Sequence, residues 1–300
     1  MLNYFSTFFL VLTVLAGPAT AAEDSHPLSM WQVDGTNNRV YLLGSIHMLR
    51  ESDHPIPSAI YDAYADAEVL VMELDMDDID PVAEQALISE LGLIQGGGAL
   101  RDLMGANLYA EAESLADELQ IPLTLFANSE PWYAAITVEV MMLMRAGFSP
   151  MHGIEMHLSE IAARDNKEIL GLETTRQQLE LLDNLSLTTQ REMLMQALTD
   201  SADLAHVMDD LIDAWRYGDV EFLEENLLAD LEDFEELHQA IVVNRNIDWV
   251  RQIQALLDDE DDYLIVVGAL HLVGDNGVPS LLANRGLEVR QLSQPASQAN

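Results

Sequence analysis

The sequence predicts an α/β fold: a mostly parallel central sheet flanked by helices, with an acidic helical insertion or cap. Three features carry this expectation. Apolar runs bounded by turn residues alternate with stretches of helical periodicity, the pattern of a parallel sheet covered on both faces. Residues 188–257 then break the rhythm with helical periodicity, many acidic residues and no strand signal. After them a strand, a glycine-rich turn, a short helix and a last strand restore the alternation. The first and last apolar runs are therefore expected to belong to one sheet.

Taken in order, residues 1–22 hold the apolar run 8–16, then Gly17-Pro18 and the small residues Ala19-Thr20-Ala21-Ala22. This reads as a signal peptide with a mature start at Ala22 or Glu23, implying a periplasmic or secreted protein, although no Lys or Arg precedes the run. The run is short for a membrane span and nothing later is long enough, so no membrane anchor is expected. The α/β domain then fills 23–292. Strands are expected at 39–43, 68–74, 123–127, 168–172 and 263–267, with a weaker one at 287–292. Helical patterns fall at 58–67 after the Pro55–Pro57 break, at 110–119, and at 131–145, which a proline opens. Others follow at 156–164, 175–185 and 279–284. The polar residues 293–300 read as a flexible tail.

The chain has 300 residues, about half of them apolar, which is enough for a sizeable core. Its 52 acidic against 13 basic residues leave a net charge of -39, a surface that repels nucleic acid and anionic lipid. Acidic runs at 75–80, 221–236 and 258–262 read as solvated helix faces and turns. Lysine is confined to Lys167, and the excess of acid suits a salty exterior. Cysteine is absent, so there is no disulfide framework, and a metal site would need His, Asp or Glu.

Two distant stretches, Tyr41–Leu49 (YLLGSIHML) and Leu264–Val273 (LIVVGALHLV), share Gly-x-x-His after an apolar run. Just past the carboxyl ends of parallel strands the chain lines the crevice where α/β proteins bind ligands. His47 and His271 occupy that position, and Gly44 and Gly268 allow a sharp turn or a close approach. Glu73 ends the apolar run 69–72, and a carboxylate there is costly to desolvate without a partner, a metal or a task. Glu173 ends the run 169–172 and serves either the crevice or the first turn of the next helix. Glu155, in Gly153-Ile154-Glu155, either caps the following helix or faces the crevice. His157 is a helix-face residue or a ligand. Arg245, a rare basic residue in an acidic segment, binds a substrate carboxylate or pairs with a structural acid. Met141-Met142-Leu143-Met144 reads as core packing.

Two neutral imidazoles and a carboxylate suit a divalent transition metal whose bound water becomes a nucleophile. The chain also resembles the TraB/GumN (TraB/PrgY/GumN) family from about Trp31 to Leu292. The matching landmarks are Leu43-Gly44-Ser45-Ile46-His47, Met72-Glu73-Leu74, Pro131-Trp132, Gly153-Ile154-Glu155, Gly171-Leu172-Glu173-Thr174, Arg245-Asn246, and Val267-Gly268-Ala269-Leu270-His271. The resemblance implies kinship with the Tiki proteins, metal-dependent proteases, and with erythromycin-esterase-like proteins. It implies that His47, Glu73 and His271 are catalytic or metal-binding positions. Glu155 stands where the family usually has Asp.

The leading expectation is an exported metal-dependent hydrolase acting on a peptide or protein substrate. His47, Glu73 and His271 would hold manganese, cobalt or zinc, and Glu73, Glu155 and Glu173 would serve catalysis, with Arg245 binding substrate. The helical segment would cap the crevice. The alternatives are an esterase-like hydrolase without metal, a haem- or metal-binding protein without turnover, and a protein-contact module with a vestigial site.

Overall fold

The computed structural model describes residues 25–200, 204–232 and 234–295, so the expected signal peptide at 1–22 lies outside the described residues. Among the described residues six strands form one sheet: β1 Ser25–Asp34, β2 Arg39–Ser45, β3 Val69–Leu74, β4 Glu168–Glu173, β5 Tyr263–Gly268 and β6 Val289–Pro295. The order is β4-β3-β5-β2-β1-β6. β4, β3, β5 and β2 are mutually parallel, whereas β1 runs antiparallel between β2 and β6. The expected α/β class and mostly parallel sheet are present, and the first and last expected strands, now β2 and β6, belong to it with β1 between them.

Side chains alternate across the strands, so each strand serves two cores. Leu43, Leu70, Met72, Leu264 and Val266 face one side, where helices Ser58–Asp66, Ile154–Asp165 and Leu204–Arg216 pack. Leu42, Val71, Ile265 and Val267 face the other, covered by helices Asn244–Leu256 and Val278–Ala283. A third apolar cluster lies away from the sheet, among helices Ala106–Glu118, Pro131–Arg145 and Leu187–Asp200.

The acidic segment 188–257 is helical where described, but its helices do not stay together. Leu187–Asp200 joins the off-sheet cluster, and Leu204–Arg216 docks on one face through Trp215, whose Nε1 donates to the Gly44 carbonyl at 2.6 Å. Asn244–Leu256 covers the opposite face, and one π turn, Gln239–Val243, precedes it.

Three expectations need correction. Residues 123–127 are not a strand: Leu123–Phe126 is a 3₁₀ turn whose Leu123 and Phe126 are buried in the off-sheet cluster. A short apolar run does not distinguish these outcomes, and this one has no sheet edge beside it. β1 was not expected, because Pro27 and polar residues interrupt its pattern. Asp34-Gly35 before the 39–43 run was the available hairpin signal, and the turn closes with Gly35 N–H donating to the Asn38 carbonyl at 2.9 Å. Finally, 293–295 are no tail, since they extend β6 against Ser25, His26 and Pro27. No helix among the described residues is long and apolar enough to cross a membrane.

Candidate functional site

The register of the parallel strands brings the site together. Gly44 lies beside Val267, Ser45 beside Gly268, and Met72 beside Val266, so both Gly-x-x-His elements and Glu73 reach the same carboxyl-terminal edge. Such an edge is where open α/β sheets bind ligands. His47 follows β2, His271 sits in the 3₁₀ turn Ala269–Leu272 after β5, and Glu73 is the penultimate residue of β3.

Glycine at 268 keeps the centre open. A Cβ there would lie 3.3 Å from His47 Nε2, 3.4 Å from Glu73 Oε1 and 3.6 Å from His271 Cδ2. The space above one Cα is thus shared by all three residues expected from the sequence.

His47 is backed by Glu155, whose Oε1 lies 2.7 Å from Nδ1 and also accepts from the Ser45 hydroxyl. Helix Ile154–Asp165 presents Glu155 in its first turn, and Gly153, not Glu155, is the N-cap. Of the two readings of Glu155, the crevice-facing one describes its position. Its charge, set against the cost of burial, raises the His47 pKa to about 9. The imidazole is 64% exposed, so water screens part of that attraction. Burial alone would raise Glu155, but His47 and Ser45 outweigh it and hold the carboxylate below its usual range.

On the opposite side Arg245 gathers the remaining groups. Its Nη2 donates to Glu73 Oε2 at 2.6 Å, Nε to Glu173 Oε1 at 2.8 Å, and Nη1 to His271 Nε2 at 3.1 Å. Nη1 also reaches the Ile241 carbonyl in the π turn at 3.2 Å, and the guanidinium lies over the Trp249 ring at 4.5 Å. π turns occur often at functional sites, where they re-aim a side chain. Arg245 therefore organises buried acids, and four of its five N–H groups are given to the protein. Glu173 is its partner rather than a helix cap, a role taken by Thr174. Burial raises the Glu173 pKa against the pull of Arg245.

Because arginine only donates, His271 Nε2 must accept, and the ring proton sits on Nδ1 facing Asn246 Oδ1 at 2.7 Å. Asn246 is fixed in that orientation because its Nδ2 donates to the carbonyls of His271 and Asn276. Burial, with only 4% of the ring exposed, pushes His271 down to about 3, so it is neutral at pH 7. Burial would raise Glu73. The charges of His271, Arg245 and His47, with the Gly268 N–H at 2.8 Å, hold it instead at about 2. With His271 neutral, Arg245 and the protonated His47 supply that attraction at pH 7.

Ser45, Gln178 and Asn246 complete the site but were given no role from sequence. Gln178 donates to Glu73 Oε2 at 3.1 Å from helix Thr175–Asp183. The dipeptide Arg245-Asn246 was the available signal for Asn246. His157 lies outside the site, with Nε2 2.9 Å from the Tyr61 hydroxyl.

Among the described residues no group of three or more His, Asp or Glu side chains is placed to hold a metal ion. The physical reason is Arg245, which caps the lone pair that His271 would offer and already neutralises Glu73. His47, Glu73 and His271 do not fit a divalent transition metal in this arrangement.

The family model of the TraB/PrgY/gumN family matches residues 29–291. Among similar proteins, "Uncharacterized protein YbaP" of Escherichia coli (strain K12) is 22% identical over 246 residues, 82% of this chain and 88% of its own length. An "Uncharacterized protein" of Treponema pallidum (strain Nichols) is 26% identical over 177 residues, 58% of this chain and 52% of its own. No solved structure matches the chain significantly. With the match running through both Gly-x-x-His elements, Glu73 and Arg245, the chain belongs to the TraB/PrgY/gumN family.

Proposed function

We propose that this protein is a hydrolase that activates water without a bound metal, using His47 as general base and Glu155 to hold the imidazole. The observation that carries the reading is the convergence of His47 Nε2 and Glu73 Oε1 over Gly268, which carries no side chain of its own. A water there can donate one proton to each acceptor, which leaves a lone pair for the carbonyl carbon of an ester or amide. As the water attacks, its proton passes to His47 Nε2 and the imidazolium is stabilised by Glu155. His47 then returns the proton to the departing oxygen or nitrogen, giving a carboxylic acid and an alcohol or amine. Glu73 orients the water, and Arg245 with Gln178 fixes Glu73.

Export rests on residues 1–22, and peptide or protein substrates rest on the family resemblance. The test is turnover of an ester and a peptide library by the mature protein, with and without a strong chelator. Hydrolysis that survives chelation and is lost in His47→Ala supports the reading. Activity that appears only after adding manganese, cobalt or zinc restores the metal-dependent alternative and overturns this one. Absence of turnover under all conditions overturns both.

A further inference from the structure

Beside the reacting groups lies a cavity of about 340 Å³ whose apolar part the proposed chemistry does not use. His47, Glu73 and Glu155 border one side of it, and Met72, Met76 and Met156 with Leu74 and Pro150 supply an apolar wall. Met72 and Leu74 come from the end of β3, and Met76 from the turn after it. Met156 comes from the first turn of helix Ile154–Asp165 and Pro150 from the preceding 3₁₀ turn.

We infer that this cavity is the subsite for an uncharged apolar group next to the bond that is cleaved, a branched aliphatic or single aromatic side chain. The assignment rests on the hydrolytic reading above and specifies its substrate. The volume is at the small end of ligand pockets and suits one side chain. The carboxylates on its border are already engaged, Glu73 accepting from Arg245, Gln178 and Gly268, and Glu155 from Ser45 and His47, while Gln178 also borders it and His47 Nε2 is given to the reaction. An acidic substituent would meet two carboxylates. A basic one would lose its hydration for carboxylates whose charge Arg245 and His47 already balance. A methionine wall is unbranched and polarizable, so it accommodates apolar groups of different shape. The subsite therefore selects for polarity much more than for outline.

The test reads binding directly. The mature protein, labelled with ¹³C on its methionine methyls, is titrated with N-acetylated amides of leucine, phenylalanine, aspartate and lysine. Leucine and phenylalanine probes are expected to shift the Met72, Met76 and Met156 methyls saturably, with affinities within about tenfold of one another. The aspartate and lysine probes are expected to bind on the order of a hundredfold more weakly. Met144 and Met151, both largely exposed, are the unmoved controls. Met76→Lys, at a partly exposed position, should abolish the shifts at Met156 while leaving the circular dichroism spectrum unchanged. Charged probes binding as well as the apolar ones, or no probe shifting these methyls up to its solubility limit, overturns the inference. Turnover without the methyl shifts would remove the subsite and keep the hydrolase, whereas shifts without turnover would do the reverse.

Discussion

Arg245 and His271 face each other across 3.1 Å, Nη1 to Nε2, and this contact settles both the tautomer of the histidine and the fate of two carboxylates. The guanidinium is a fixed cation where a metal's charge would otherwise be needed. Its partners Glu73 and Glu173 are 13% and 9% exposed, so removing Arg245 leaves two buried acids without their cation. Arg245→Ala is expected to cost about 3–5 kcal/mol in urea denaturation. Arg245→Lys should recover only part of it, because one ammonium cannot span both acids and the imidazole. A loss in Arg245→Ala no larger than that of an ordinary surface substitution would refute the organising role.

Acid should destabilise the protein in a window set by His271. Its folded pKa is lowered to about 3 from 6.5, so the unfolded state alone takes up the proton as pH falls below 6.5. Stability then declines toward pH 3. Glu73, lowered to about 2 from 4.5, contributes stability that is present above 4.5 and lost as pH falls toward 2. Both terms have the same sign, and the His271 term begins first. His47, raised to about 9, works in the opposite sense near and above its unfolded value of 6.5. Denaturation midpoints between pH 6 and 5 should therefore fall in the wild type and be flatter in His271→Gln, judged by slope since the variant starts less stable. Parallel slopes would mean His271 is not kept neutral.

Glu155 should set the pH dependence of His47. The carboxylate raises the imidazole to about 9, so the neutral base is scarce at pH 7 and kcat/KM should rise with pH through a limb above the ordinary imidazole value. Glu155→Gln should move that limb down toward 6.5 and lower the plateau rate by about ten- to a hundredfold, because the amide can still accept from Nδ1 but no longer stabilises the imidazolium by charge. The ring titration of His47 followed by NMR should show the same displacement without any substrate. A falling limb would instead assign His47 as a general acid.

Much of this site could be read along the chain because parallel strands end in step. An apolar run followed by Gly-x-x-His carries its own address, the carboxyl edge of a sheet, and Glu73 carries the same one. What joins them could not be read in this way. The bond from Arg245 to His271 depends on helix Asn244–Leu256 crossing the sheet face and on a π turn that no periodicity announces. The two readings left open for Glu155 and Glu173 share that cause, since cap and crevice differ only by how a helix leans. Residues 123–127 failed for a related reason: four apolar residues suit a strand or a turn equally, and the neighbouring helices decided.

Gly268→Ala separates the chemistry from the fold. Gly268 has φ -50° and ψ 137°, a backbone conformation open to alanine, so the substitution meets no dihedral penalty. The added methyl meets side-chain ends, His47 Nε2 at 3.3 Å and Glu73 Oε1 at 3.4 Å, and these can give by small amounts. Stability should change by less than about 1 kcal/mol. The methyl nevertheless intrudes between His47 Nε2 and Glu73 Oε1 and crowds the attacking water out of reach of both, so hydrolysis should drop about a hundredfold or more, with little change in KM. Gly44→Ala is the control for crowding alone. Its Cβ would press on the Ala269 Cα at 3.2 Å and the Ser29 carbonyl at 3.3 Å, costing about 1–3 kcal/mol while leaving the space above Gly268 free. If Gly268→Ala turns over substrate as well as the wild type, the water does not stand above Gly268.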